Sequence, residues 1–327
     1  MQPHPKSYCV SVIVSNFNGE KYLPKLIRTL QSQKSTDIQL IVVDRESSDS
    51  SREILKRHAS ILVVNEPPEN GLVAGYHKGF QYAKHDLLFF CNEDMWFDDW
   101  CLYNCAKHIN LEQRIASSDP WQWTYDTKQL AHAGIRFNKK ISTFYLSQVI
   151  PFIGMNPLVE LKEGDFIPLS SAGACMIHRV PYKECGGWDT SFFLDAEEED
   201  LFLRFQLRNW KAVSVPSAKV FHAISVSNSK MVKNTSVKKK RFISGLSNKT
   251  IITIKYLPAQ YVVKNLMARL VLMLGSILRL RFKQSWYVFL SLSLTAKRLK
   301  RALISRKEYY NKNRNNGIDY YKVYLQK

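Results

Sequence analysis

Four consecutive acidic side chains, Glu197 to Asp200, are the residues of this sequence best suited to proton transfer or metal binding. An apolar segment at 192–194 precedes them, and an amphipathic segment at 201–205 follows them. A carboxylate at the edge of an apolar core has a shifted pKa, because burial disfavours its charged form. Carboxylates of this kind serve as general bases and as metal ligands, so the acidic run is a candidate catalytic site.

Three polar side chains that can bind a ligand, Asn16, Asp44 and Asp94, follow apolar runs further upstream. Strand-like and helix-like segments alternate there, at 10–14, 21–33, 38–43, 47–57, 61–64, 75–83 and 87–91. This alternation predicts an α/β fold, with a parallel sheet that helices cover on both faces. Ligands of such sheets bind beyond the carboxyl ends of the strands, which is where these three side chains are expected.

The last third of the chain is strongly basic. Residues 230–327 hold 23 of the 47 Lys and Arg residues and two of the 28 acidic residues, which leaves the remainder close to neutral. Such a charge predicts an anionic partner, either nucleic acid or an acidic membrane surface. Helical patterns at 262–278 and 286–303 carry an apolar stripe on one face and basic residues off it.

Neither of these two patterns has the ~18 uncharged apolar residues of a bilayer span. They are therefore predicted to lie in the membrane interface, and packing against the globular part or a second copy is the alternative. The start of the sequence, MQPHPKSY, has no apolar stretch of signal-peptide length. Cys101, Cys105 and His108 share a helix face, but no second ligand pair has zinc spacing, so packing is the favoured interpretation. Scattered cysteines are typical of a reducing cytoplasm.

Four blocks of the sequence resemble family 2 glycosyltransferases, above all the rhamnosyltransferase- and galactofuranosyltransferase-like branch that builds bacterial surface polysaccharides. They read VSVIVSNFNGEKYLPKLIRTLQSQ, IQLIVVDRESSDSS, DLLFFCNED and GGWDTSFFLDAEEEDLFLR, and the match extends over residues 8 to about 228. Each block alone is a weak signal, whereas the four in this order and spacing are highly specific. The resemblance implies the GT-A fold, an α/β fold with a mostly parallel central sheet flanked by helices. It also implies inverting transfer of a sugar from a nucleotide-diphosphate donor, with a divalent metal.

The resemblance also suggests a domain organisation. Residues 1–230 are expected to form the catalytic domain, with a nucleotide-binding half at about 8–95 and an acceptor and catalytic half at about 96–230. Residues 231–327 are expected to form a basic helical region that associates with the membrane. The expected partners are a dTDP- or UDP-sugar (rhamnose-like or galactofuranose-like), a glycan or polyprenyl-linked acceptor and the anionic inner-membrane surface. Alternatively, the helices form the interface of a homodimer. The protein is expected to be peripheral, on the cytoplasmic face of the membrane.

The resemblance assigns residues beside the nucleotide base. Ser15, Asn16 and Phe17 match the loop that borders the base. Asp44 matches an aspartate that accepts a hydrogen bond from the pyrimidine N3–H, a contact that favours uracil or thymine over cytosine. The family's next residue is Asn, and this sequence has Arg45 there.

The donor diphosphate is assigned to the start of the third helix. Asn70 and the segment AGYHKG, which contains Gly75 and Lys78, resemble the family's AGxNxG helix start. His77 replaces the usual Asn, and Lys78 replaces the usual Arg. A helix start with a nearby cation suits a diphosphate, and ordinary helix packing is the alternative interpretation.

Asn92, Glu93 and Asp94 take the place of the family's DxD metal motif, which is often NPD in this branch. Asp94 is the expected ligand of Mn²⁺ or Mg²⁺, and Asn92 and Glu93 adjoin the donor. A divalent cation neutralises the leaving diphosphate and prefers hard oxygen ligands. His222 matches a histidine that can complete the metal site, and a core histidine is the alternative.

The family's EDxDL motif corresponds here to the acidic run, which places Glu198 at the position of the catalytic base. A glutamate moves the carboxylate by about an ångström relative to aspartate, and proton transfer is sensitive to such a shift. Glu197 is the alternative base, whereas Asp200 is expected to cap its helix or form an ion pair within it. The acceptor contacts are assigned to Trp188, by stacking on a sugar, and to Asp189, by binding a hydroxyl.

Two other functions are less compatible with the residues. Nucleic-acid-binding modules place aromatic residues among basic ones on an exposed sheet or groove, whereas this tail has apolar helical stripes, so no nucleic acid is expected. A sugar-nucleotide pyrophosphorylase needs a glycine-rich, basic loop after its first strand, and the segment SNFNG at 15–19 lacks it. Nucleic-acid binding through the tail and a catalytically degenerate protein are the alternatives to a transferase.

Overall fold

The structure is a computed structural model that describes residues 7–126, 129–137, 149–151, 161–223 and 235–316. The chain forms two compact units. The first comprises Met1–Arg136, Pro151–Phe193 and Leu201–Lys230, and the second comprises Phe137–Ile150, Leu194–Asp200 and Met231–Lys327. The acidic segment Leu194–Asp200 therefore groups with the C-terminal helices, which the sequence did not predict.

A parallel half-sheet opens the first unit, as expected. Its elements are β1 (Tyr8–Asn16), α1 (Leu23–Gln31), β2 (Thr36–Asp44), α2 (Ser51–Lys56), β3 (Leu62–Asn65), α3 (Gly71–Phe80) and β4 (Leu87–Asn92). The strands pair in the order β3-β2-β1-β4, all parallel. From Val10 onward β1 is buried without alternation, as a strand covered on both faces must be. Helix α1 buries Leu23, Leu26, Ile27 and Leu30, which recur along one side.

The other half of the sheet is mixed. Its elements are β5 (Met95–Phe97), α4 (Cys101–Ala106), β6 (Ile115–Thr124), β7 (Leu130–His132), β8 (Ile135–Phe137), β9 (Val149–Pro151), β10 (Phe166–Ile167), β11 (Ala174–His178), α5 (Arg179–Glu184), α6 (Glu197–Gln206) and β12 (Lys211–His222). Strand β11 lies antiparallel between β4 and β6, and β12 runs parallel to β6. Strand β5 is antiparallel to β12, and β8 and β9 form a separate sheet. Cys101 and Cys105 are buried in the core, in agreement with the packing interpretation.

Polar residues end three of the parallel strands at one edge. Asn16, Asp44 and Asn92 are the last residues of β1, β2 and β4. The strand register pairs Asn16 with Asp44 and Ser15 with Asn92. Of the three side chains predicted at this edge, Asn16 and Asp44 end their strands, and Asp94 follows two residues after the end of β4.

The second unit contains three long helices, α7 (Thr235–Tyr256), α8 (Ala259–Leu278) and α9 (Phe282–Asn316). In α8 the usual arrangement is inverted, because the polar side chains Asn265, Arg269 and Ser276 are buried. The apolar face of α8 is exposed and consists of Val263, Leu266, Met267, Leu270, Val271, Leu274, Ile277 and Leu278. Among the helices that the structure describes, α8 alone has the length and hydropathy of a membrane span. The sequence did not predict a membrane span here, because the segment contains two charged residues, Lys264 and Arg269. The hydropathy of the whole helix is nevertheless high enough for a span.

Candidate active site

Asp44 is the centre of a buried hydrogen-bond cluster at the carboxyl edge of the half-sheet. Its Oδ1 accepts hydrogen bonds from Asn16 Nδ2 at 2.8 Å and from Ser47 Oγ at 2.5 Å. Its Oδ2 accepts from the Ser47 backbone N–H at 3.1 Å and from Arg52 Nε at 2.9 Å. A carboxylate offers about four acceptor positions, so this set engages all of them.

The cluster keeps Asp44 ionised. Burial raises its pKa, but the hydrogen bonds from Ser47, Arg52 and Asn16 outweigh burial, and the net pKa lies below its usual value. Arg52 is the partner open to solvent, with 46% of its side chain exposed. It is therefore the group that an N–H of a bound ligand replaces at least cost.

We expect Asp44→Asn to lower the free energy of unfolding by about 2 kcal/mol at pH 7, because buried charged hydrogen bonds are lost. The pKa of Asp44 is lowered in the fold, so its contribution is fully present above the ordinary value of 3.8 and is lost as pH falls through the lowered pKa. Urea unfolding at pH 7 and pH 3 should show the difference between wild type and variant shrinking at the lower pH. Asp37→Asn, at an exposed position of β2, is the matched control. An equal effect of both variants would contradict the assignment.

Glu93 and Arg45 form a second charged group in the first unit. Burial, followed by the charge of Asp94, raises the pKa of Glu93 to about 7, and the charge of Arg45 opposes that rise. The Phe17 backbone N–H also binds the Glu93 carboxylate. The Arg45 guanidinium lies 5.3 Å from the centre of the Phe17 ring. Glu93 thus fixes the loop after β1, and Arg45 supplies a buried cation where the family has an amide.

Strand pairing brings Asp94 and His222 together. Strand β5 lies antiparallel to β12, with Met95 opposite His222. His222 Nε2 lies 3.2 Å from Asp94 Oδ1. One carboxylate oxygen and one imidazole nitrogen are a donor pair that suits Mn²⁺. No group of three His, Cys, Asp or Glu suited to a metal occurs in the described part of the chain, so this pair would hold a cation only with further ligands.

Tyr76 orients the side chain of Asn92. The Tyr76 hydroxyl lies 2.8 Å from Asn92 Oδ1 and 2.9 Å from the carbonyl oxygen of Ala172. Gly75 packs on β1, and a Cβ there would lie 2.5 Å from Ser15 Oγ. The glycine of the predicted motif is therefore explained by close approach of α3 to the strand.

Two predicted diphosphate contacts occupy other places than expected. Helix α3 begins at Gly71, whose φ of +84° permits the turn into the helix. Lys78 consequently lies in the last turn of α3, and the prediction that it stands beside the helix start is wrong. The side chain of Asn70 does not bind Asp44 or its partners. Its Nδ2 donates a hydrogen bond to Glu66 Oε1 at 2.7 Å.

The predicted acceptor residues are also part of the first unit. Trp188 is 2% exposed, and its ring lies 5.8 Å from that of Tyr76 and 5.6 Å from that of Phe90, centre to centre. This burial makes it a core residue and contradicts the prediction that its ring stacks on a sugar. Asp189 closes a local turn, because its Oδ1 accepts from the Ser191 backbone N–H at 3.0 Å.

The acidic run begins α6 and belongs to the second unit. Glu197, Glu199 and Asp200 are buried, whereas Glu198 is half-buried. Burial first, and then the charge of Glu198, raise the pKa of both Glu197 and Glu199 well above the usual value. Glu198 is thus the carboxylate of the run with the most access to a substrate.

Asp200 does not act as predicted. Its Oδ1 accepts from Lys255 Nζ and from the Tyr256 hydroxyl, each at 2.8 Å. These two partners belong to α7. The sequence also did not single out Ser47, Arg52 and Tyr76. The signals for Ser47 are its place three residues after an aspartate, a spacing typical of local side-chain turns, and its position in the block IQLIVVDRESSDSS that resembles the family.

A family model and several known proteins match this chain. The model of glycosyl transferase family 2 matches residues 11–185. The rhamnosyltransferase WbbL of Escherichia coli is 26% identical over 227 residues, 66% of this chain and 82% of that protein. The undecaprenyl-phosphate 4-deoxy-4-formamido-L-arabinose transferase of Pseudomonas fluorescens is 29% identical over 105 residues, 29% of this chain and 30% of that protein. With other relatives the match likewise spans only 28% to 33% of their length.

Solved structures match the fold. The mannosyltransferase PcManGT from Pyrobaculum calidifontis, in complex with GDP-Man and Mn²⁺, aligns with a TM-score of 0.50 and 13% identity over 96% of this chain and 82% of that one. GalNAc-T7 with UDP, GalNAc and Mn²⁺ aligns with a TM-score of 0.57 and 14% identity over 76% of this chain and 48% of that one. The expected GT-A fold, with a helical C-terminal region, is confirmed.

Proposed function

Because this chain belongs to glycosyl transferase family 2, we propose that it transfers a sugar from a nucleotide-diphosphate donor to a glycan or lipid-linked glycan acceptor. The observation that carries the proposal is the pair of clusters in the first unit, one around Asp44 and one joining Asp94 to His222. Binding of a nucleotide-diphosphate sugar requires two parts. One is a carboxylate that accepts a hydrogen bond from the nucleotide base, and the other is a pair of ligands for a divalent cation.

Binding of the base is proposed at Asp44. An N3–H of uracil or thymine takes the acceptor position that Arg52 occupies, and the exposed Arg52 moves aside. Asn16 and Ser47 keep the carboxylate ionised and in place meanwhile. The donor is therefore proposed to be a UDP- or dTDP-sugar.

Asp94 and His222 are the residues proposed to hold a divalent cation. When bound, such a cation neutralises the charge that develops on the leaving diphosphate. The mixed oxygen and nitrogen donor set favours Mn²⁺ over Mg²⁺, because Mg²⁺ prefers oxygen ligands throughout. The remaining ligands would come from the diphosphate and water.

Glu198 is the proposed base. It accepts the proton of the acceptor hydroxyl, whose oxygen then attacks the anomeric carbon on the face opposite the leaving diphosphate, which inverts the configuration. The base assignment is supported by the half-burial of Glu198 between two buried glutamates. Asp189 is proposed to contact the acceptor, and Trp188 is not, because its ring is buried.

The transferase proposal can be tested with the full-length protein and a panel of sugar nucleotides. Release of UDP or dTDP is measured with Mn²⁺, with and without lipid-linked acceptors. We expect one nucleotide sugar to be consumed in an acceptor-dependent way. Equal inactivity with every donor and acceptor would refute the proposed function.

We further propose that the second unit lies on an anionic membrane surface, which would place the enzyme at the cytoplasmic face. The support is the apolar face of α8, which is exposed while polar residues of the same helix are buried. A soluble helix has the opposite arrangement. Basic and apolar residues also meet at the turn between α8 and α9, where Leu280 is 76% and Phe282 is 61% exposed beside Arg279, Arg281 and Lys283.

Binding of the protein to liposomes that contain acidic lipids should weaken, but not vanish, as salt is raised. Charge attraction contributes about 1 kcal/mol per basic residue near the surface and is screened, whereas apolar burial is not. Val271→Glu should weaken binding about tenfold, because burial of a valine is worth about 1.5 kcal/mol. Val63→Glu, at an exposed valine of β3, is the control in a sedimentation assay. Protein that stays in the supernatant at low salt, or an α8 face buried in a dimer, would contradict the proposal.

A further inference from the structure

Helix α7 carries a stripe of three polar side chains that bind the acidic segment Leu194–Asp200. Arg241, Asn248 and Lys255 follow one another at intervals of seven residues, which places them on one side of the helix. All three donate to this segment, and helix and segment both belong to the second unit. We call these three residues the α7 clamp.

The first two clamp residues hold the backbone and side chain of Asp195. Arg241 binds its carboxylate in a bidentate way, with Nε at 3.1 Å from Oδ2 and Nη2 at 3.0 Å from Oδ1. Asn248 Nδ2 donates to the carbonyl oxygens of Leu194 at 3.0 Å and Asp195 at 2.7 Å. Gly245 lies between these two on α7, and a Cβ there would come within 3.3 Å of Asp195 Oδ2. The glycine lets the segment lie directly on the helix.

The bound turn is a strained one. Asp195 and Ala196 have φ values of +68° and +70°, in the left-handed region. Each such residue other than glycine costs roughly 1 kcal/mol or more and persists only where its surroundings hold it. The turn leads directly into the first residue of α6, Glu197. The clamp contacts thus stabilise the backbone conformation from which the glutamates start.

The third clamp residue fixes the first turn of α6. Lys255 and Asp200 are 3% and 0% exposed, and their ion pair spans 2.8 Å. A buried pair of this kind adds little net stability, since desolvation offsets the attraction. Its effect is geometric, because it ties Asp200, two residues after Glu198, to one place on α7.

Helix α9 fixes the orientation of the central clamp residue. Arg298 Nη1 donates to Asn248 Oδ1 at 2.7 Å, so the amide nitrogen of Asn248 is turned towards the acidic segment. A second asparagine of the unit, Asn265 on α8, accepts from Thr250 Oγ1 at 2.9 Å and belongs to the same buried polar layer. It supplies a comparison, because its side-chain hydrogen bond within the described residues is to α7 and not to the acidic segment.

We propose that Arg241, Asn248 and Lys255 are positioning residues for the base Glu198, so that the C-terminal helices belong to the catalytic apparatus. This inference rests on the proposed function. A misplacement of about an ångström at a reacting group lowers rates by up to ~10²-fold, which is the scale of effect that the clamp can exert.

The test compares two asparagine-to-leucine variants of the full-length protein. Asn248→Leu should lower kcat on the order of 10- to 100-fold, with the KM for the sugar nucleotide within about twofold, because the nucleotide clusters lie in the other unit. Asn265→Leu removes a buried amide from the same layer and should leave kcat within about twofold. Hydrogen exchange of the amides of residues 194–200 should be faster in Asn248→Leu and unchanged in Asn265→Leu.

Each result of this comparison either supports or overturns the positioning role of the α7 clamp. A kcat of folded Asn248→Leu close to wild type, or an equal loss in Asn265→Leu, would overturn the positioning role. If Asn248→Leu does not fold, Arg241→Gln replaces it, since that side chain is 56% exposed and its removal leaves the core intact. Arg241→Gln should lower kcat and speed exchange in the same segment, and an unchanged kcat would overturn the proposal. A wild-type protein that transfers no sugar would instead refute the proposed function, which the wild-type assay alone decides.

Discussion

Glu198→Gln should lower kcat by roughly 10² or more while leaving donor binding nearly intact. Glutamine keeps the shape and hydrogen-bonding reach of the side chain but cannot take up the proton of the acceptor hydroxyl. Glu198 is the half-buried member of the run, so substrate can reach it. Steady-state rates of nucleotide release, together with calorimetric binding of UDP or dTDP, separate the two effects.

Glu197→Gln is the matched control for this variant. Burial raises the pKa of Glu197 well above its usual value, so its side chain favours the neutral form that glutamine imitates. We therefore expect a small effect on kcat. A larger loss in Glu197→Gln than in Glu198→Gln would show that the register taken from the family is wrong by one residue.

Asp94→Ala should lower turnover by about 10³ and abolish tight Mn²⁺ binding. A cation held by this pair would supply several kcal/mol of charge stabilisation to a leaving diphosphate, and each 1.36 kcal/mol is tenfold in rate. The imidazole of His222 alone cannot replace a charged oxygen ligand. The measurement is twofold, namely nucleotide release and titration of Mn²⁺ in the presence of UDP or dTDP.

Asp99→Ala, at an exposed acid just after β5, serves as the control for that variant and should change neither readout. Chelator should reduce wild-type turnover to the level of Asp94→Ala. Undiminished turnover in chelator, with Asp94→Ala equally active, would exclude the proposed role of the pair.

The parallel half of the fold could be predicted from the sequence because its signal is local. Each strand is a short apolar run that ends in a polar residue, and Asn16 and Asp44 are adjacent as soon as β1 and β2 pair in parallel. Asp94 and His222 lie far apart in sequence, so only the family resemblance predicted that they are neighbours. In the structure the pairing of β5 with β12 brings them together.

Other features depended on packing that no local pattern reveals. Trp188 follows two glycines in a turn-like segment, and only the tertiary structure shows Tyr76 and Phe90 around its ring. The position of Lys78 depended on where α3 begins, which the positive φ of Gly71 sets. Lys255, which forms an ion pair with Asp200, is 55 residues away, and a lysine in a basic tail gives no hint of that contact.

The membership of Leu194–Asp200 in the second unit changes what counts as a removable part of this protein. Composition divides the chain near residue 230, where a neutral body gives way to a basic tail. The three-dimensional partition cuts through the acidic motif instead. A protein shortened at that compositional border keeps the glutamates but loses the α7 side chains that bind Leu194, Asp195 and Asp200 around them. Exchanging the tail alone between relatives would therefore also replace the α7 side chains that contact the acidic segment.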